Sequence, residues 1–245
     1  ALITFLTVGD PNMEVSEKAI YTMQEEGVDL IELGVPFSDP AADGPVIQRA
    51  DERALAQGVD IFKVFELVRK IRNNVEVPMV FLLYYNVMVQ YGIEKFFKRC
   101  QETGVDGLII PDLPYEESDE IKEYTEKYGV YQISLVSPTS KDRIKNIAKD
   151  AKGFLYCISS LGVTGEKSSF VTNFDEFVGT IKKYTDVPAC VGFGVSNGRQ
   201  VKELTKYFDG AIVGSAIVKS IATGESVEER INNLRAKIKD LKSGL

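Results

Sequence analysis

A chain of 245 residues with 44% hydrophobic and 27% charged side chains fits one large domain or two small ones and can bury a sizeable core, which excludes a disordered protein. With 36 acidic against 29 basic residues the net charge is −7, which repels a nucleic-acid backbone; no run approaches the roughly 18 apolar residues of a membrane helix and no secretory leader opens the chain, so a cytoplasmic protein is expected. Histidine is absent, so no metal site is expected and acid-base chemistry falls to Asp, Glu, Tyr, Lys or Cys.

The first residue is Ala1 rather than Met, and further N-terminal sequence is expected ahead of it. A β-rich apolar run at 2–8 comes at once, followed by a stretch at 15–26 whose apolar residues recur every three or four positions, as in a helix laid on a sheet. The alternation continues. Runs at 28–34, 77–85, 107–111, 130–136, 153–158, 189–193 and 210–214 read as strands, and stretches at 61–73, 93–103, 117–128, 141–149, 174–184 and 198–207 read as helices. Gly27-Val28-Asp29 and Gly104-Val105-Asp106 echo each other where a helix ends and a strand begins, as in an internal repeat. Eight such units without a composition shift predict an α/β fold, a single (β/α)8 TIM barrel over 1–245 with a closed sheet of eight parallel strands; an open sheet of eight strands is the alternative.

In a barrel the chemistry sits on the loops that follow the strands. Two are longer than a connection needs: 35–59 after the second strand, rich in Pro, Asp and Gly, and 159–173 after the sixth. Glu32 shares a strand face with Leu30 and Gly34. If that face is the lumen, burial raises the carboxyl's pKa and makes it a proton donor near neutral pH; on the outer face it would pair with a helix lysine. The segment 36–45 carries three prolines, and its Asp43 is either a second working carboxylate or the cap of a helix beginning near Val46. Gly192-Phe193-Gly194 and Gly214-Ser215, after the seventh and eighth strands, would expose N–H groups beside a helix N-terminus, the phosphate site common in barrels, although tight turns use glycine too. Gly162-Val163-Thr164-Gly165 suits a hinged lid or a plain loop.

Other chemistries find less support. No strand end carries the lysine of a Schiff-base lyase, the first candidates, Lys141 and Lys219, falling in predicted helices. Gly192-x-Gly194 lacks the third glycine of a dinucleotide fingerprint, and Cys100, Cys157 and Cys190 form no C-x-x-C pair, which fits reduced, unbridged thiols. Carboxylate acid-base chemistry on a small phosphate ester remains.

Along essentially its whole length the chain resembles the tryptophan synthase α-subunit family. The resemblance is carried by Leu6-Thr7-Val8-Gly9-Asp10-Pro11, by Ile31-Glu32-Leu33-Gly34-Val35-Pro36-Phe37-Ser38-Asp39-Pro40 with Ala42-Asp43-Gly44-Pro45-x-Ile47-Gln48, and by Gly162-Val163-Thr164-Gly165, Gly192-Phe193-Gly194 and Gly214-Ser215-Ala216-Ile217-Val218. It implies a carbon-carbon lyase that cleaves indole-3-glycerol phosphate into indole and glyceraldehyde 3-phosphate in tryptophan biosynthesis. Glu32 would protonate the ring carbon bearing the glycerol chain, and Asp43 would hold the ring N–H. Phosphate contacts fall on Gly165, Gly194, Gly214 and Ser215, the indole pocket on Phe5, Leu82, Ile109, Tyr156 and Phe193, and the lid on Thr164. The resemblance further implies an α2β2 heterotetramer with a tryptophan synthase β subunit, contacts through Pro36, Asp39, Pro40 and Asn86, and indole channelled to that partner. No cofactor is expected in this chain, pyridoxal phosphate belonging to the β subunit. The family's short helix before the first strand is missing from this sequence, as is an arginine that some members carry at 159–161.

Three alternatives stay open: another phosphate-binding barrel of amino-acid biosynthesis, a binding subunit that has lost activity and only activates a β partner, and a stand-alone indole-releasing lyase.

Overall fold

The computed structural model describes residues 1–140, 142–158, 173–192 and 194–245. Among these, nine strands occur: β1 (Leu2–Thr7), β2 (Leu30–Gly34), β3 (Met79–Leu82), β4 (Gly107–Ile109), β5 (Tyr131–Gln132), β6 (Ser134–Val136), β7 (Leu155–Ile158), β8 (Ala189–Gly192) and β9 (Gly210–Val213). All pair in parallel in the order β5-β4-β3-β2-β1-β9-β8-β7-β6. The two ends of that order are halves of one apolar run, parted by Ile133: the first half pairs with β4 and the second with β7. The sheet is therefore a barrel with its seam inside its own fifth strand, and the eight predicted runs are the eight barrel strands with one broken. The open-sheet alternative falls.

The helices are α1 (Met13–Glu25), α2 (Pro45–Ala56), α3 (Ile61–Ile71), α4 (Tyr85–Tyr91), α5 (Ile93–Thr103), α6 (Asp119–Tyr128), α7 (Ile144–Asp150), α8 (Phe174–Ile181), α9 (Gly198–Leu204), α10 (Ser215–Ala222) and α11 (Val227–Lys242). Two of them are absent from the sequence expectations. The α4 helix has only seven residues and is parted from α5 by Gly92 at φ 92°, so its period is too short to register. The α11 helix is mostly charged, and its buried stripe is only Leu234, Ile238 and Leu241. It nevertheless locks the ring's outer layer, because Arg235 pairs with Glu25 and Glu26 at the C-terminal end of α1 and Lys242 Nζ donates to the carbonyl of Gly27. The long stretch 35–59 is not all loop, since α2 occupies its second half.

Period-two alternation divides the strand residues between two cores. Ile3, Val80, Ile109, Ile133, Phe154, Cys190 and Ile212 fill the lumen, joined by Leu30, Leu82, Leu135 and Tyr156. Their neighbours along the strands, among them Leu2, Ile31, Leu33, Phe81, Leu155 and Val213, pack outward under the helices.

The N-terminal rim shows a repeated device. Asp29, Asp106 and Asp209 each precede a strand and accept, through Oδ2, the N–H that begins a neighbouring strand: Leu2 at 2.6 Å, Met79 at 2.8 Å and Ala189 at 2.9 Å. These N–H groups stand at strand starts, where the ladder leaves the first donor without a carbonyl. The Gly-Val-Asp echo now has a cause. Gly27 (φ 74°) and Gly104 (φ 80°) end their helices in the left-handed region, Val28 and Val105 are buried, and the aspartate clasps the rim. Arg72 lies 3.3 Å from Asp106 and Lys182 lies 3.1 Å from Asp209. Replacing Asp106 with Ala should lower unfolding stability by about 1–3 kcal/mol through the orphaned Met79 N–H, as read from urea denaturation at constant m-value; an unchanged midpoint would remove the clasp role.

Candidate active site

The C-terminal rim opens into a cavity of about 1020 Å³. Its lining joins residues from eight parts of the sequence: Glu32 from β2, Asp43 from the following loop, Phe5, Leu82, Ile109 and Tyr156 from four further strands, Gly194 from the loop after β8, and Gly214 with Ser215 where β9 passes into α10. Sequence expectations are thus brought together at nine positions, counting Glu32, Asp43, Phe5, Leu82, Ile109, Tyr156, Gly194, Gly214 and Ser215. Gly165, Thr164 and Phe193 lie outside the described residues, as do Gly162, Val163 and Lys141.

Glu32 stands in β2 opposite Phe5 of β1 and Val80 of β3, on the lumen face. It is 1% exposed, and its Oε1 has no hydrogen-bond partner among the described residues. The outward alternative with a lysine partner is thereby overturned. Burial without compensating charge disfavours the carboxylate, and the carboxyl is pushed up to about 8. At neutral pH it holds a proton that it can deliver into the cavity. Room beside it depends on Gly34, where an added Cβ would lie 2.5 Å from the Phe5 ring, so the glycine lets that ring fold across the strand end.

Asp43 is placed differently. It does not cap α2, whose N-cap is Gly44 with no side-chain bond. Instead the Tyr84 hydroxyl donates to Asp43 Oδ2 at 2.7 Å while accepting the Ala42 N–H at 2.9 Å, so one phenol pins both side chain and backbone of the loop. The Tyr84 ring stacks on Phe37 with centroids 4.9 Å apart, and Gln48 Nε2 donates to the Asp43 carbonyl at 2.9 Å. Burial raises the Asp43 carboxyl above its ordinary value, and the Tyr84 hydrogen bond opposes part of that rise. Of the two acids, Asp43 is therefore the one better suited to work as an anion.

Two further residues shape this corner and escaped the sequence reading. Tyr84 follows the third strand in Leu83-Tyr84-Tyr85-Asn86, the position where a barrel keeps its functional groups, and that placement was the available signal. Asp51 lies on the buried stripe of α2 with Ile47, Ala50 and Ala54, and an acid at an apolar position of a helix period is itself a signal. It is 4% exposed and accepts from Thr7 Oγ1 at 3.3 Å. Burial first and the Asp43 charge second push it up to about 8. Next to it Arg53 makes a two-pronged bond to buried Asp10, at 2.6 and 2.9 Å.

Tyr156 packs over Gly192, where an added Cβ would come within 2.6 Å of the phenol oxygen. Burial and the charges of Glu32 and Asp43 hold its hydroxyl protonated, as a neutral donor. Across the rim, Gly194 has φ 80°, a left-handed conformation that favours glycine, and Gly214 precedes Ser215 at the first turn of α10, so the positive end of that helix dipole stands in the cavity lining. Lys219 lies in α10, as the sequence predicts. Of the expected interface residues, Asp39 and Asn86 are exposed and Pro40 is half-buried, whereas Pro36 is buried under its own loop.

A parallel barrel holding two acids of unlike surroundings over an apolar floor, with glycine turns and a helix N-terminus at the far loops, has the layout of a lyase or isomerase. The family model described as "Tryptophan synthase alpha chain" matches residues 1–245. A relative of that name from Thermoanaerobacter sp. (strain X514) is 47% identical over 245 residues, 100% of this chain and 94% of the relative, and one from Methanocaldococcus jannaschii is 48% identical over 223 residues, 90% and 79% of the respective lengths. Among solved structures, tryptophan synthase from Mycobacterium tuberculosis superposes with TM-score 0.90 at 36% identity, covering 100% of this chain and 91% of that chain. The tryptophan synthase subunit alpha from Campylobacter jejuni gives 0.88 at 39% identity, covering 98% and 95%. The chain belongs to the tryptophan synthase alpha chain family, and it is a lyase with the TIM-barrel fold of that family.

The Glu32 shift carries a stability consequence. Its folded pKa lies above the ordinary 4.5, so between about pH 4.5 and 8 the unfolded chain has already released a proton that the folded chain keeps, and stability falls across that window. Glu32→Gln removes the penalty. Its melting temperature should match the parent's near pH 4 and exceed it increasingly up to pH 9, where the gain is on the order of a few kcal/mol; parallel curves for the two proteins would refute the raised pKa.

Proposed function

We propose that Glu32 and Asp43 divide the cleavage of indole-3-glycerol phosphate between them. Protonated Glu32 delivers its proton to the ring carbon that bears the glycerol chain, and anionic Asp43 accepts the ring N–H and stabilises the positive charge this creates. The hydroxyl on the adjacent chain carbon then gives its proton to the Glu32 carboxylate. Its O–H electrons become the new carbonyl, the carbon-carbon pair returns to the ring, and indole and glyceraldehyde 3-phosphate separate with the acid regenerated. The single observation that carries this reading is the placement of a buried, unpartnered carboxyl and a phenol-pinned carboxylate in one cavity with the glycine cradle.

The remaining assignments join the cavity lining to the family resemblance. Phe5, Leu82, Ile109 and Tyr156 offer apolar surface for the bicyclic ring, and Gly194, Gly214 and Ser215 hold the phosphate; the family resemblance adds Phe193 to the ring pocket, Gly165 to the phosphate contacts and Thr164 to a lid. Asp39, Pro40 and Asn86 face outward on the rim that indole leaves and form the contact with a β subunit in an α2β2 assembly, with buried Pro36 stiffening the loop behind them. The chain works as one barrel domain without a cofactor of its own, pyridoxal phosphate residing in the partner. No helix among the described residues is long and apolar enough to cross a membrane; the cytoplasm is the proposed setting.

Indole release from indole-3-glycerol phosphate, with and without a tryptophan synthase β subunit, tests the reading. Release that is slow alone and rises strongly with the partner supports it; fast release alone indicates a stand-alone lyase, and none under either condition rejects it. Glu32→Gln should lower kcat by about 10²–10⁴-fold and Asp43→Asn by about 10²–10³-fold, with glycerol 3-phosphate binding kept in both. Because the acid must be protonated, kcat/KM should fall as pH rises through about 8, the value to which Glu32 is pushed; a profile flat to pH 9.5 would assign the proton to another group.

A further inference from the structure

Only four charged side chains line the cavity among the described residues, and they are not mixed. Glu32 and Asp43 belong to the reacting end. The other two, Lys219 and Lys237, come from α10 and α11 and flank the glycine cradle. Lys219 stands four residues after Ser215 and so shares its helix face, about 6 Å farther along. Lys237 Nζ donates to the carbonyl of Ser196 at 3.2 Å, two residues beyond Gly194, and lies 3.3 Å from Asp240. The two helices are fixed to each other at this point, since Asn233, one turn before Lys237, donates from Nδ2 to the carbonyl of Thr223 at 2.9 Å. Two cations are thus built into the cradle side of a cavity in a chain whose net charge is −7.

We propose that Lys219 and Lys237 form a cationic gate to the phosphate cradle, drawing in a phosphate dianion and selecting it over uncharged or singly charged ligands. Resting on the phosphate reading of Gly194, Gly214 and Ser215, the gate adds what oriented N–H groups cannot: full charge that acts over several ångströms and that discriminates by ligand valence. It also sets polarity along the cavity. A ligand with an anionic end enters that end first toward the lysines and is repelled from the Asp43 side, which leaves the ring to meet the acids. The lysines do no chemistry; they are specificity-determining residues.

The test compares Lys219→Met, Lys237→Met, the double variant and the double arginine variant with the parent. Calorimetry measures binding of glycerol 3-phosphate and of inorganic phosphate across ionic strength, and kinetics with indole-3-glycerol phosphate separate KM from kcat. The double Met variant should bind glycerol 3-phosphate about tenfold more weakly and raise KM by a similar factor, with far less change in kcat. Affinity of the parent should fall with salt, that of the double Met variant should barely respond, and arginine at both positions should restore strength and salt slope. A double Met variant that melts like the parent and keeps its affinity and salt dependence overturns the gate. Loss of melting temperature without recovery in the arginine variant also overturns it, as a packing role for Lys237. A parent that binds neither phosphate probe rejects the cradle itself, a failure visible before any variant is compared.

Discussion

When a parallel sheet curls into a ring, all its strands begin on one rim and end on the other. In this chain the constraint sorts polar groups by rim. At the starting rim the ladder leaves N–H groups without carbonyls, and Asp29, Asp106 and Asp209 satisfy them with hydrogen bonds of 2.6–2.9 Å. At the finishing rim the strands are free of that duty. There Glu32 is left 1% exposed with an unpartnered oxygen, an arrangement that costs folding energy and persists because the rest of the ring over-determines it. Carboxylates that clasp and carboxylates that react are the same residue type, separated by which end of a strand they occupy.

The finishing rim handles four acids by different means. Glu32 has no partner and keeps its proton. Asp43 has the Tyr84 hydroxyl, which stabilises its charge against burial. Asp10, 3% exposed, has the fork of Arg53, the geometry that suits a permanent ion pair. Asp51 sits among them with a 3.3 Å contact from the Thr7 hydroxyl, and burial followed by the Asp43 charge pushes it up. Environment assigns each carboxyl its state, and no lysine or metal ligand is needed for the division.

Much of this was legible in the sequence. Strand runs bounded by glycine and amphipathic stretches between them gave the barrel, and alternation alone placed Glu32 with Leu30 and Gly34 on one face; the motif resemblance then singled out the face's purpose. The seam at Ile133 was not legible, because a run of seven apolar-rich residues at 130–136 has the same pattern whether it pairs with one neighbour or passes between two. Helix α4 was too short for its period to stand out, and α11 hid its narrow apolar stripe under charge. Tyr84 and Asp51 were missed for a different reason. Their roles depend on contacts across 41 and 44 residues, with Asp43 and with Thr7, and pair contacts of that separation leave no mark in local periodicity. The cap expected of Asp43 failed because Gly44 took the N-cap position and Tyr84 claimed the carboxylate.

The three rim aspartates join residues 27, 27 and 20 positions apart, and each ties together two consecutive barrel strands: β1 with β2, β3 with β4, and β8 with β9. The barrel is thereby divided into quarters of two strands, three of them closed by the same stitch, while the remaining quarter holds the broken strand β5/β6 with β7. Short-range stitches close small loops at low entropic cost, so each quarter can organise before the ring exists. The symmetry is that of a two-stranded module used four times, and the one quarter without the stitch is also the place where the ring comes apart into two pairings.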